Sequence, residues 1–404
     1  MALDRRRDWT KGQFRMSYDG KTMKILKTIS GVILLLVLAS NIWSISRWNE
    51  SRGVYDDVCY LRQAHLFQRF GLHGLDTDIA RDDDHYLANK LKEIGYAAWS
   101  DPANAPCHSS MPALKKHVMQ YPPGTGFVLA VFPAGFQVIP LYMLASIVTF
   151  GFALLALLRA STLYSILLSA AFGDVAIYLM INPTKASYSM APTMMVCAIA
   201  GFLTAKLFAS GAQRQRLVLT ALIGLLIGVS VNFRLPNLFL SAGYFIFLLA
   251  SFLMVRSKQA FLEGLSFAAA FLIGIAPTLA ANAINAGSPF ATTYGGVDAV
   301  PPELNATVLW SYLADVQFIL LAIAAAWTAL IWQFNDRESA RHAALVVAGN
   351  LVVNVIFFMT HPVFTPYYTV PIAMLSLWTL MYATLRPRRQ SVADNPAFAP
   401  PAKA

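Results

Sequence analysis

Gln137 to Leu158 reads QVIPLYMLASIVTFGFALLALL, a run without one charged side chain. It is long enough to cross the hydrocarbon core of a bilayer as a helix, which takes about 20 apolar residues. Comparable stretches recur near residues 26 to 46, 162 to 181, 190 to 209, 217 to 233, 236 to 255, 259 to 281, 306 to 332, 343 to 360 and 366 to 384. The expected fold is therefore an all-α membrane protein of about ten transmembrane helices in one polytopic domain, residues 1 to 389. The remaining tail, 390 to 404, is rich in Ala and Pro and has too little hydrophobicity to order itself.

Composition agrees. Over 404 residues, 57% of side chains are hydrophobic and 13% charged, a balance that a water-soluble domain of this size does not carry. The net charge of +10 could serve nucleic acid, but Lys and Arg lie in short clusters between apolar runs instead of on one basic face. Three cysteines, with no CxxC or HExxH spacing, exclude a disulfide scaffold and the common zinc motifs.

The basic clusters set a topology. Arg5, Arg6, Arg7 and Lys11, then Arg159, Arg214 and Arg216, Arg256 and Lys258, Arg337 and Arg341, and Arg386, Arg388 and Arg389 fall on alternate connections. By the positive-inside rule that side is the cytoplasm, with both termini on it. The opposite connections hold few basic residues, and Lys185, Arg234 and His361 are the three that stand there. The pattern requires that Pro122–Phe136 does not cross; Pro122-Pro123 suits the first turn of a short re-entrant or interfacial helix. Residues 48 to 124 then form the one long external loop, with the polar groups to hold a site.

In that loop Asp56 and Asp57 open a predicted amphipathic helix, Val58 to Phe70, on which Arg62, His65 and Arg69 can share a wet face. Acids at a helix start cap free N–H groups. They can equally stand at the membrane surface and take a proton from an acceptor hydroxyl, and for that role Asp56 is the candidate catalytic base, with Asp57 in support.

The text around these acids, YDDVCYLRQAHLF from Tyr55 to Phe67, resembles the C-type membrane glycosyltransferases. These include the protein O-mannosyltransferases and the aminoarabinose transferase that modifies lipid A. Further matches follow in order: Tyr121-Pro122-Pro123-Gly124, NFRLPN around Arg234, NAINAGSPFATTYGG from Asn282 to Gly296, and HPVFTPYYTVP from His361 to Pro371. One departure stands out, since NPTKASYSMAP from Asn182 to Pro192 lacks the second loop Asp of some relatives.

The resemblance implies a sugar transfer from a polyprenyl phosphate to a glycolipid, polysaccharide or protein acceptor, at the external face of a bacterial-type inner membrane. It implies no nucleotide and no nucleic acid. A carrier phosphate that gains charge in low dielectric needs a cation, for which Arg234, Lys185 and His361 are candidates; Tyr121, Tyr294 and Tyr367 are candidates for the substrate cleft. Snorkelling bases and interfacial aromatics are the structural alternatives. No cofactor is required, although Asp82, Asp83, Asp84 and His85 offer ligands to a divalent cation, or form a hydrated loop. Cys59 and Cys107 share the loop and can bond in an oxidising compartment. Cys197 lies in a span as packing. Two other classes stay open: a transporter or flippase, for which Asp174 within a span is the relevant residue, and a non-catalytic subunit of the same fold.

Overall fold

The computed structural model describes residues 20–50, 55–178, 187–295, 301–361 and 364–385. Within them the chain is a bundle of apolar helices carrying one folded loop. In lipid each backbone N–H and C=O needs an internal partner, and these apolar runs meet that need as helices. Seven are long and apolar enough to cross a membrane: α1 (Gly20–Ser46), α5 (Val138–Arg159), α7 (Met190–Phe208), α8 (Gln213–Val231), Leu235–Val255, α10 (Lys258–Ala286) and α13 (Glu338–Thr360). The Leu235–Val255 span begins as a 3₁₀ turn, Leu235–Ser241, and continues as α9 (Ala242–Val255). Two apolar helices are shorter, α6 (Leu163–Tyr178) and α14 (Val370–Thr384). The protein is thus an all-α, multi-pass membrane protein.

The segment expected as one span over 306 to 332 differs. It forms α11 (Ala306–Ala314) and α12 (Phe318–Phe334), bent by 81°. The Asp315 side chain accepts the Gln317 N–H at 2.6 Å, which starts α12 on a new axis.

Burial orders the bundle. α14 is buried along its whole length and packs on α7, α12 and α13, whereas α1 buries one stripe, Leu34, Leu38, Asn41 and Ile45, against α5 and α6. A helix apolar all round belongs at a centre, and one with a single buried face belongs at a rim. α8 and α10 pack most closely. Gly224 and Gly228, one turn apart, let the α10 backbone approach where a Cβ would strike the carbonyls of Phe267 and Phe271.

The loop between α1 and α5 folds as α2 (Tyr55–Phe70), α3 (Tyr86–Glu93), a hairpin of β1 (His108–Met111) and β2 (Lys116–Met119), and α4 (Gly124–Ala130). The antiparallel hairpin pairs His108 with Met119 and Met111 with Lys116. α2 joins two cores, since Tyr60, Leu61 and Ala64 belong to the bundle while Val58 packs with Leu87 and Leu91 of α3. Cys59 and Cys107 form a disulfide that fastens α2 to the start of the hairpin.

The expected wet face of α2 is corrected by this packing. Arg62 is fully buried beneath the 3₁₀ turns of the loop, donating from Nη1 to Thr77 O at 2.9 Å and from Nη2 to Asp78 O at 2.8 Å. His65 and Arg69 remain partly exposed. Pro122–Phe136 yields only the seven-residue α4, too short to span and packed against α2.

Candidate active site

Asp56 stands in the first turn of α2, half-buried, with its carboxylate beside the Tyr121 hydroxyl. Burial pushes the Tyr121 phenol far above its usual range, and the Asp56 charge adds to the shift. The Tyr60 ring stacks on Tyr121 with centroids 4.9 Å apart, and the Tyr294 ring lies tilted to Tyr121 at 6.3 Å. One turn of α2 separates Asp56 from Tyr60, which is why both side chains face the same space.

α8 ends at Val231, and Arg234 turns to an extended conformation before the 3₁₀ turn that leads into α9. Its side chain is 6% exposed and its guanidinium lies over the rings of Tyr367 at 4.9 Å and Tyr368 at 5.1 Å. Nη1 donates to Met190 Sδ at 2.8 Å, and a thioether is a weak acceptor. Among the described residues Arg234 forms no ion pair.

The acid and the cation share neighbours. Burial raises the phenols of Tyr60 and Tyr367, the nearby Asp56 carboxylate raises both further, and Arg234 pulls both down. Asp56 and Arg234 therefore act on the same cluster of tyrosines.

That cluster is held by polar staples. Asn232 Nδ2 donates to Gly274 O at 2.7 Å, and its Oδ1 accepts from the N–H and hydroxyl of Thr278, so α8 is locked to α10 just before Arg234. The Asn232 carbonyl also accepts the Gly124 N–H at 2.7 Å. A Cβ on Gly124 would stand 2.7 Å from the Asn232 backbone, so only glycine lets α4, and with it Tyr121, approach. Thr293 Oγ1 donates to Gln120 O at 2.8 Å, which brings Tyr294 beside Tyr121.

The remaining candidates fall elsewhere. Asp57 is buried, and its Oδ1 accepts the Tyr188 backbone N–H at 3.1 Å. His361, at the end of α13, lies 6.3 Å from the Tyr368 ring, the ring that Arg234 also approaches. Lys185 lies outside the described residues, as does Gly296. Tyr60, Ser189, Met190 and Tyr368 complete the cluster, and of these the sequence pointed to Tyr368 alone, beside His361 and Tyr367. Tyr60 sits in the quoted YDDVCY text and Tyr368 follows Tyr367, but nothing local distinguishes them from packing aromatics.

The acidic run does not converge as a cation site. Asp82 accepts the Leu87 N–H at 3.0 Å and faces Arg62, whereas Asp83 and Asp84 both bind Arg69, at 2.6 and 3.1 Å. Asp84 also meets His65 at 2.6 Å. The hydrogen bond from Arg69 holds Asp83 below the ordinary carboxylate range. For Asp84 burial pushes upward, and His65 with Arg69 outweighs it. His85 is a left-handed residue ahead of α3. Cys59, Cys107 and His108 do bring ligand atoms within 4.8 Å of one another, but the sulfurs bond each other and the ring nitrogens of His108 meet Pro106 O and Arg62. Neither group has the free, convergent donors of a metal centre.

Asp174 lines an apolar groove of about 500 Å³ between α1 and α6, at the rim of the bundle. Cys197 is buried beside Pro371 O. No family model, curated protein or solved structure matches the chain.

Proposed function

We propose that the protein is an inverting glycosyltransferase that moves a sugar from a polyprenyl phosphate to a glycolipid, polysaccharide or protein acceptor at the external face of the membrane. The carrying observation is the buried Arg234 guanidinium, which lacks an ion pair among the described residues and shares its tyrosine neighbours with Asp56. A buried cation held by weak acceptors and ring faces favours an anion. The carboxylate beside it supplies a base.

In this reaction Asp56 takes the proton of the acceptor hydroxyl while that oxygen attacks the anomeric carbon. The bond from that carbon to the carrier phosphate breaks, its electron pair stays on the phosphate oxygen, and Arg234 meets the charge. The tyrosines offer flat apolar faces and hydroxyls for the sugar. We further read ten crossings, counting the bent α11–α12 pair, α6 and α14 beside the seven long helices, with both termini cytoplasmic and the α2 loop outside.

A carrier would place ionisable groups near the centre of the bundle; Asp174, at the rim, gives that reading little support. The test is to incubate the purified protein with a panel of polyprenyl phosphate sugars and membrane acceptors, and to measure released carrier phosphate. Release by the native chain, reduced about 100-fold or more by Asp56→Asn at normal expression, is expected. Full release by that variant removes the base, and no release with any donor leaves the non-catalytic reading in its place.

A further inference from the structure

A second polar site opens where α1 ends and α5 begins. It is a groove of about 500 Å³ whose walls include Arg47, Trp48, Asn49, Glu50, Lys90 and Phe136. Two apolar helices end on it, so its depth is that of lipid headgroups.

Its charges are unevenly satisfied. Glu50 is 9% exposed, and its Oε1 accepts the Gln137 N–H at 3.3 Å, which fixes the start of α5. Among the described residues its Oε2 is buried without a hydrogen-bond donor, and Lys90 Nζ stands 3.7 Å away, itself shared with Glu93 at 3.3 Å. Arg47 also lines the groove, its guanidinium 4.1 Å from the exposed ring of Trp43. The Trp48 Nε1–H is directed away, to the Tyr188 hydroxyl.

A carboxylate oxygen that lacks a donor, in a groove that two cations also line at headgroup depth, is complementary to a zwitterion with N–H groups on its ammonium and a phosphate two carbons away. We propose that this groove binds the phosphoethanolamine headgroup of a phospholipid, with the ammonium on Glu50 and the phosphate on Arg47 and Lys90. The exposed faces of Trp43 and Phe136 lie where the acyl chains begin, which selects the lipid over the soluble headgroup. The site is independent of the transfer reaction proposed above.

The full chain, purified in detergent, is titrated with single phospholipids and the bound lipid is counted by native mass spectrometry. Phosphatidylethanolamine is expected to bind at least about tenfold more tightly than phosphatidylcholine, whose headgroup has no N–H to give Oε2. Mono- and dimethylated ethanolamine lipids should fall between them in order. Arg47→Ala should weaken the ethanolamine lipid about fivefold. Glu50→Gln should erase the preference over choline, and the methylation series on the native chain carries the test if that variant fails to fold. Glycerophosphoethanolamine, which has no acyl chains, should bind more weakly than the intact lipid. Equal binding of the ethanolamine and choline lipids, a preference for phosphatidylglycerol, or equal binding of the chainless headgroup would overturn the assignment.

Discussion

The Asp57 carboxylate accepts the backbone N–H of Tyr188 at 3.1 Å, joining residues 131 apart in the chain. This bond ties the start of α2 to the segment that delivers Ser189 to Tyr60 and Met190 to Arg234. Two adjacent acids thus divide their work: Asp56 faces the tyrosine pocket, and Asp57 holds one of its walls.

Removing Asp57 leaves a buried N–H without its acceptor, which costs about 1–3 kcal/mol. Asp57→Ala should lower the unfolding temperature of the purified protein, followed by intrinsic fluorescence, and Asp57→Asn should recover part of the loss because one oxygen remains. Asp56→Asn should leave that temperature nearly unchanged while transfer stops. Equal destabilisation by the two Asn variants would show that the acids share one structural role.

Arg234 presents a flat cation to two rings, a geometry that a lysine ammonium does not reproduce. Arg234→Lys should keep the charge yet lose about tenfold in affinity for polyprenyl phosphate, and Arg234→Ala should lose more. Equilibrium binding of a fluorescent carrier phosphate reads both. Undiminished binding by the alanine variant would mean the guanidinium serves packing alone.

Gly124→Ala should act at a distance of one helical turn. The new Cβ meets the Asn232 backbone at 2.7 Å, so α4 must shift, at a cost of about 1–3 kcal/mol. Because Tyr121 leads directly into α4, transfer should fall further than stability does, and a parallel loss of the two would argue against Tyr121 in the cleft. Melting curves beside transfer rates make the comparison.

His108 gives the folded loop an acid sensitivity. Burial, reinforced by the charge of Arg62, lowers its folded pKa to about 3, and it stays neutral with Nε2 facing Arg62 at 3.0 Å. The unfolded chain protonates this ring near its ordinary value of about 6.5. Between those values the unfolded state binds more protons, so stability rises with pH and drains away as pH falls from about 6.5 towards 3. Unfolding temperatures at pH 7 and pH 5 should show the slope, and His108→Gln should flatten it. An unchanged slope in that variant would place the sensitivity in another group.

The helical bundle was legible because lipid imposes length and apolarity on each run separately, so Gln137–Leu158 announces α5 without reference to any other segment. The α11–α12 bend was not, because its cause is one side chain, Asp315, inside an otherwise continuous apolar pattern. The first loop shows the same division. Its acids and cysteines could be named, yet the burial of Arg62 depends on carbonyls of Thr77 and Asp78, and the hairpin at His108 rests on runs too short to show a period. The site followed suit: Asp56, Tyr121, Arg234, Tyr294 and Tyr367 share neighbours, whereas Asp57 is engaged by the Tyr188 N–H, a partner that only the folded chain supplies.

The bond between Cys59 and Cys107 closes a ring of chain around α3 and the approach to β1, across a separation of 48 residues. A protease that nicks this ring once therefore cannot detach either fragment, and the two pieces should part on a gel only after a thiol reductant is added. The α2 end of the tyrosine cluster is for that reason armoured against the commonest injury to a surface loop, and its endurance becomes a matter of redox history as much as of folding.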